Sequence, residues 1–149
     1  MTYASGTSVS PEKTMAEIQT TLKRYKADKF GFMSDELRIV IAFECYGRRV
    51  RFVLPLPRRA DFQPTKRDKK GSAAEKRYEQ AVRSRWRALL LTIKAKLESV
   101  ESGIETFEEA FMAQILLPDG QTIGEWAKPQ IKLAYDNNKT LPPLLGSGS

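Results

Sequence analysis

The chain has 149 residues, 41% of them apolar, which is enough to bury a core as one domain. It contains no histidine and a single cysteine, Cys45, so a disulfide within the chain is excluded and zinc or iron–sulfur sites are not predicted. No apolar run is long enough to cross a membrane, and the opening MTYASGTSVS lacks the features of a signal peptide. We therefore expect a cytoplasmic protein with Cys45 buried as a small hydrophobe.

Charge is unevenly distributed along the chain, which has a net charge of +7. Residues 1–47 carry six basic and six acidic residues, whereas residues 48–96 carry sixteen basic and only four acidic ones. Residues 97–149 carry three basic and eight acidic residues. Such segregation creates a directional electrostatic field that solubility alone does not require.

The first predicted element is a helix that begins at Ser10-Pro11-Glu12. Serine can cap a helix, proline suits its first position, and an acidic residue suits its first turn. Apolar residues then recur at helical spacing, at Met15, Ile18, Leu22 and Tyr25.

Three strands are predicted next, at 30–33, 37–45 and 50–54, from the alternation of apolar and polar residues. Tyr46-Gly47 separates the second strand from the third, which favours an antiparallel meander. One face of this sheet is apolar, and the other presents Arg38, Arg49 and Arg51, partly offset by Glu44. The neighbouring Arg48 is assigned to the solvent side as well. Pro55 and Pro57 end the third strand, because proline has no N–H to donate.

An irregular basic loop at 58–71 leads into a long helix. Ser72 and Glu75 match the capping-box pattern at its start. Lys76, Arg83, Arg87 and Lys94 fall on one line along this helix, which predicts a basic ridge beside its apolar stripe. Gly103 is expected to end the helix.

The C-terminal half is predicted to be helical. Thr106 with Glu109, and Thr122 with Glu125, form two further capping boxes around the turn at 117–120. Pro129 is expected to kink or restart the last helix. Trp86 and Trp126 could be core residues or base-stacking groups, and we favour the core for both.

The fold class is therefore α+β: an N-terminal helix, a three-stranded antiparallel meander, then a long helix packed across the sheet within a helical C-terminal half. A single domain is expected to span residues 1–145. The terminal GSGS at 146–149 has the composition of an added flexible linker.

Catalytic signatures are sparse in this sequence. It has no Walker-type glycine loop and no GxSxG motif, and the absence of histidine removes the commonest general base. Asp35 and Glu44 could begin a carboxylate nuclease site, but Tyr46 occupies the position where such a site places a lysine. We favour a turn aspartate and a surface glutamate, and we predict no enzyme activity, metal or cofactor.

A basic surface is the strongest functional signal. Lysine and arginine neutralise phosphates and release counterions, and arginine also stacks on bases. Tyr46 and Phe62 lie among the cations and are candidate stacking platforms for single strands. The predicted nucleic-acid contacts are Arg48, Arg49, Arg51, Arg58, Arg59, Lys66, Arg67, Lys69, Lys70, Lys76, Arg83, Arg87, Lys94, Tyr46 and Phe62.

An acidic run at Glu98, Glu101, Glu105, Glu108 and Glu109 has two interpretations. It is either a solvated face or a patch that meets the basic region of a second copy and promotes a homo-oligomer. The first interpretation is favoured.

Several stretches resemble a group of short uncharacterised phage and prophage proteins. They are LLPDGQTIGEW at 116–126 followed by KPQI, the segment VRSRWRALLLTIKAKLESVESGIETFEE at 82–109, and the opening YASGTSVSPEKT. The resemblance implies a phage protein that acts in the cytoplasm of a bacterial host. The group has no assigned catalytic residues that could be transferred to this chain.

Two functions are compatible with these observations. The leading hypothesis is a non-enzymatic protein that binds or anneals single-stranded DNA or RNA, without a membrane or a small-molecule substrate as partner. The alternative is an interaction module that inhibits an acidic host protein, such as a defence or transcription factor.

Overall fold

A computed structural model of the chain describes residues 4–68, 70–138 and 140. The helices are α1 (Pro11–Arg24), α2 (Ser72–Glu101), α3 (Phe107–Phe111) and α4 (Ile123–Asn137), and the strands are β1 (Asp28–Ser34), β2 (Arg38–Cys45) and β3 (Arg48–Pro55). Short 3-10 turns occur at Arg59–Asp61 and Met112–Gln114. The order of elements confirms the predicted α+β fold. The predicted linker at 146–149 lies outside the described residues.

The three strands form an antiparallel sheet in the order β1-β2-β3. Cys45 pairs with Arg48, so the β2–β3 turn consists of Tyr46 and Gly47, both of which have positive φ. Positive φ at both positions is what a two-residue hairpin turn of the favoured twist requires. On the far side of β3, the N–H of Leu116 donates to the carbonyl of Arg49 at 2.8 Å, so β1 is the open edge.

One face of the sheet is covered by helices, as the alternation predicts. Ile39, Ile41 and Phe43 of β2 are buried there with residues of α1, α2 and α3. Phe111 lies at the centre, with its ring edge-on to those of Phe43 and Phe52 at centroid distances of 6.0 and 6.2 Å. No described helix is both long and apolar enough to cross a membrane.

Of the three core predictions for single residues, those for Cys45 and Trp86 are confirmed and that for Trp126 is wrong. Cys45 is buried as predicted, and burial is the main reason that the pKa of its thiol is raised. Trp86 is buried in the core, also as predicted. Trp126 is only half-buried, so its assignment to the core is wrong. The reason is that α4 packs mainly on the 3-10 turn Met112–Gln114 and meets the sheet through the ion pair of Glu125 with Arg51.

The start of α2 differs from the prediction. Ser72 is already helical, and Gly71 precedes the helix with a φ of 71° and no side-chain cap. The carboxylate of Asp68 accepts the N–H of Ala74 at 2.9 Å instead. A charged oxygen is a stronger acceptor than a hydroxyl, and the glycine permits the loop to turn back over the helix end. The predicted capping box of Ser72 and Glu75 is therefore wrong.

The later helix starts are confirmed, because Thr106 with Glu109 and Thr122 with Glu125 both form reciprocal capping boxes. Pro129 lies inside α4, which continues to Asn137 as one helix, so the expected restart does not occur. Proline deprives only the carbonyl four residues earlier of its helical partner. That residue, Glu125, is exposed, so water can satisfy its carbonyl.

Candidate nucleic-acid interface

The predicted contact residues lie in three parts of the structure. The sheet and its turn hold Tyr46, Arg48, Arg49 and Arg51; the loop 58–71 holds Arg58, Arg59, Phe62, Lys66, Arg67 and Lys70; and α2 carries Lys76, Arg83, Arg87 and Lys94. Lys69 lies outside the described residues. These parts differ in how many of their cations already have an acidic partner.

The arginines of β3 are split between the two faces of the sheet. Arg49 and Arg51 pair with Glu44 and Ala42 on the face that carries no helical core. Arg48 pairs with Cys45 and belongs to the opposite face, because side chains alternate along a strand. Grouping all three on one solvent face is therefore wrong.

Two of these arginines are held by carboxylates from the C-terminal half. Arg48 lies 3.2 Å from Glu108, and Arg51 donates to both oxygens of Glu125 at 2.8 and 3.0 Å. The side chain of Arg51 is only 28% exposed. Arg49 is exposed and forms no ion pair with a described residue. The sheet therefore contributes one unpaired arginine from β3.

Both candidate stacking rings already contact other rings. Tyr46 is 59% exposed, with its centroid 5.2 Å from that of Phe107. Phe62 is half-buried, with its ring edge-on to Tyr78 at 5.8 Å. Tyr46 retains exposed surface for a base, whereas Phe62 has less.

The basic loop packs on the first turns of α2. Arg59 forms an ion pair with Glu75, and its guanidinium lies 4.3 Å from the centre of the Tyr78 ring. The hydrogen bond from Arg59 to Glu75 is the main reason that the pKa of this arginine is raised. Arg77 donates to the carbonyl of Gln63 at 3.2 Å. The loop and the start of α2 therefore form one surface.

Five exposed cations on this surface form no ion pair with a described residue, although the charge of Arg77 helps to lower the pKa of Asp68. They are Lys66, Arg67, Lys70, Lys76 and Arg77, and we call them the loop–helix surface. Arg77 was not among the predicted contacts, because it lies about 100° around the helix from Lys76 and off the predicted ridge line. Its position in the first turns of α2, beside the basic loop, was the signal that could have identified it.

The predicted basic ridge along α2 is interrupted. Arg87 lies 2.9 Å and Lys94 4.0 Å from the carboxylate of Glu17 in α1. Arg83 donates to the side chain of Gln80 at 3.2 Å. Only Lys76 of the four ridge residues is both exposed and without a partner among the residues that the structure describes.

Acidic residues collect at the other end of α2. Glu98 and Glu101 lie in its last turns, and Glu105 follows them, all three exposed. A helix of 30 residues spans about 45 Å, so these carboxylates are remote from the loop–helix surface. The charge segregation seen in the sequence is therefore also present in space along α2.

The carboxylates weighed as a nuclease site have structural partners. Asp35 accepts the N–H groups of Leu37 and Arg38 at 2.7 and 3.0 Å, and these bonds lower its pKa. Glu44 lies 3.3 Å from Lys29. Among the described residues, no group of three metal-ligating side chains is present.

The chain matches no protein-family model, and no curated protein or solved structure is significantly similar to it. The relationship to the phage group stays a prediction that rests on the quoted stretches alone.

Proposed function

We propose that this protein binds nucleic acid without catalysing a reaction, with single-stranded DNA or RNA as its preferred ligand. The observation that carries the proposal is the loop–helix surface, where five exposed cations on one packed unit form no ion pair with a described residue. A cation in a half-buried ion pair, such as Arg51 with Glu125, gains little from a phosphate, whereas an unpaired one gains a full contact.

The physical basis of binding is counterion release. Each phosphate that a lysine or arginine neutralises frees a condensed ion, and the affinity then falls as salt is added. The ion pairs of Arg58 with Asp61 and of Arg59 with Glu75 are exposed, and such pairs contribute little to stability because water and salt screen them. A polyanion can replace these carboxylates at small cost, which extends the surface along the loop.

Single strands are preferred for two reasons. A flexible strand can follow an irregular loop, and its bases are free to meet an aromatic ring. Tyr46 offers exposed ring surface, and it lies just before β3, whereas the loop follows the other end of this strand, which is about 23 Å long at the rise of an extended strand. Arg49 lies between them along the open face, so a strand that reaches both ends would cross an unpaired arginine.

A fluorescence-anisotropy titration of labelled oligonucleotides, single-stranded and duplex, tests the proposal. Five phosphate contacts predict that the logarithm of the association constant falls with the logarithm of salt concentration with a slope of about −3.5 for single strands. Binding that is tighter for the single strand and has such a slope supports the proposal. Flat titrations together with capture of one acidic host protein would favour the alternative, an inhibitor of a defence or transcription factor.

A further inference from the structure

A groove with an apolar floor lies between α1 and α2, beside the β1–β2 turn. It is formed by two cavities of about 460 and about 270 Å³ that share Pro11, Tyr78 and Val82 as lining residues. The floor of the larger cavity is completed by the apolar side chains of Met15, Phe32, Leu56 and Trp86. These volumes are comparable to those of sites that hold small ligands or peptide side chains.

The floor leaves aromatic surface open to solvent. Phe32 is 39% exposed although its ring lies 5.3 Å from that of Trp86. Tyr78 forms part of the wall where both cavities meet. An apolar side chain placed here would remove this surface from water, and a cation could lie against the face of Phe32.

The charge of the groove is opposite to that of the whole chain. Glu12, Asp35 and Glu36 line the larger cavity, and no lysine or arginine lines it among the described residues. Arg83 and Glu79 line the smaller cavity and offset each other. Three carboxylates therefore surround the larger cavity in a chain whose net charge is +7.

These carboxylates are available to a ligand in different degrees. Asp35 uses one oxygen, Oδ1, for the two N–H groups of its own turn. Glu12 and Glu36 form no ion pair within the part of the chain that the structure describes, although the charge of Glu36 helps to raise the pKa of Arg59. A phosphate backbone would meet like charge here, so the groove is unsuited to the ligand of the loop–helix surface.

We infer that this groove binds a segment of a partner protein in which apolar side chains are flanked by lysine or arginine. The apolar side chains fill the floor against Phe32 and Val82, and the basic side chains pair with Glu12 and Glu36. Charge complementarity selects this partner over an acidic one. The inference does not depend on nucleic-acid binding, because the five cations of the loop–helix surface do not line the groove, although Arg59 lies over the ring of Tyr78 in its wall.

Peptide binding to a Trp126→Phe variant tests the inference, because Trp86 is then the only tryptophan and reports from the groove. The probe is the labelled peptide Lys-Leu-Phe-Lys-Lys-Leu-Leu-Lys, compared with its counterpart in which glutamate replaces every lysine. We expect the basic peptide to change the emission of Trp86 on binding. The acidic peptide should leave the emission unchanged.

Charge reversal supplies the matched comparison. The double variant Glu12→Lys/Glu36→Lys should lower the affinity for the basic peptide at least about tenfold, because attraction between the groove and the peptide becomes repulsion. The control, Glu101→Lys/Glu105→Lys, changes the net charge equally at exposed positions near the end of α2 and should alter the affinity by less than about twofold. Circular dichroism establishes that both variants are folded.

Four results would overturn the inference. They are unchanged Trp86 emission with both peptides, equal affinity for the acidic peptide, equal loss of affinity in the two charge-reversal variants, and loss of oligonucleotide binding in Glu12→Lys/Glu36→Lys. If the wild-type protein is a dimer in sedimentation analysis and this variant is a monomer, the groove would instead bind a second copy of the chain. Weak oligonucleotide binding by the wild-type protein would contradict only the proposed function.

Discussion

The side chain of Thr14 is fully buried, and its hydroxyl has no hydrogen-bond partner among the described residues. In the unfolded chain this hydroxyl is hydrated, so burying it without a partner costs about 1–3 kcal/mol. Valine has nearly the same shape without the polar atom. We predict that Thr14→Val raises the free energy of unfolding by about 1 kcal/mol in urea titrations.

The same substitution at Thr20, which is exposed on α1, is the control and should change stability little. A Thr14→Val variant less stable than the wild type would show that the hydroxyl is satisfied. Periodicity could not identify Thr14 as a core position. Helical periodicity marks only apolar residues, whereas the structure also buries Thr14 and Thr21 beside Ile18 and Leu22.

Glu125 is a carboxylate whose lowered pKa makes the stability of the protein depend on pH. The hydrogen bond from Arg51 is the main cause of its lowered pKa, and the backbone N–H of Thr122 adds to it. A carboxyl whose pKa is lower in the folded state stabilises the protein fully above its ordinary pKa of 4.5. That stabilisation is lost as the pH falls through the folded-state value.

We predict that the melting temperature falls below about pH 4.5 and that it falls less steeply in Glu125→Gln. Glutamine keeps an oxygen for the capping box but has no charge to titrate. Thermal unfolding followed at a series of pH values measures this difference. Parallel curves for the two proteins would mean that Glu125 does not contribute to acid sensitivity.

At the scale of elements, patterns local in sequence were predicted well. The start of α1 at Ser10, the alternation of β2 and β3, and two capping boxes depend on residues within a few positions of one another. The cap of α2 was missed because Asp68 reaches Ala74 only after the loop has folded back. The face of Arg48 could have been predicted, since Arg48 is two residues before the inward-facing Val50.

The cap of α2 can be tested by comparing two substitutions. Asp68→Ala should lower the melting temperature, because the N–H of Ala74 loses its acceptor. Ser72→Ala should leave it nearly unchanged, because Ser72 lies inside the helix and makes no capping bond. If Ser72→Ala lowered the melting temperature more than Asp68→Ala, the capping box predicted from the sequence would be supported instead.

At the scale of the whole molecule, the charge counts from the sequence predicted a larger basic surface than the structure contains. Residues far apart in sequence neutralise several of its members, such as Arg48 with Glu108, Arg51 with Glu125 and Arg87 with Glu17. One-dimensional charge counts cannot anticipate these pairs, because they form only when the sheet and helices are assembled. In the folded chain, the unpaired cations of the loop–helix surface remain available to bind a ligand.

The most direct test of the account compares two quadruple variants that lose the same number of positive charges. One replaces the unpaired cations Lys66, Arg67, Lys70 and Lys76 by glutamine, and the other replaces the paired cations Arg48, Arg51, Arg87 and Lys94. Anisotropy titrations of a labelled single strand at several salt concentrations measure both. We predict that the first set makes the salt slope shallower by about 3, whereas the second changes it by less than about 1. Equal losses in both variants, or a greater loss in the second, would contradict the claim that unpaired cations of the loop–helix surface carry binding.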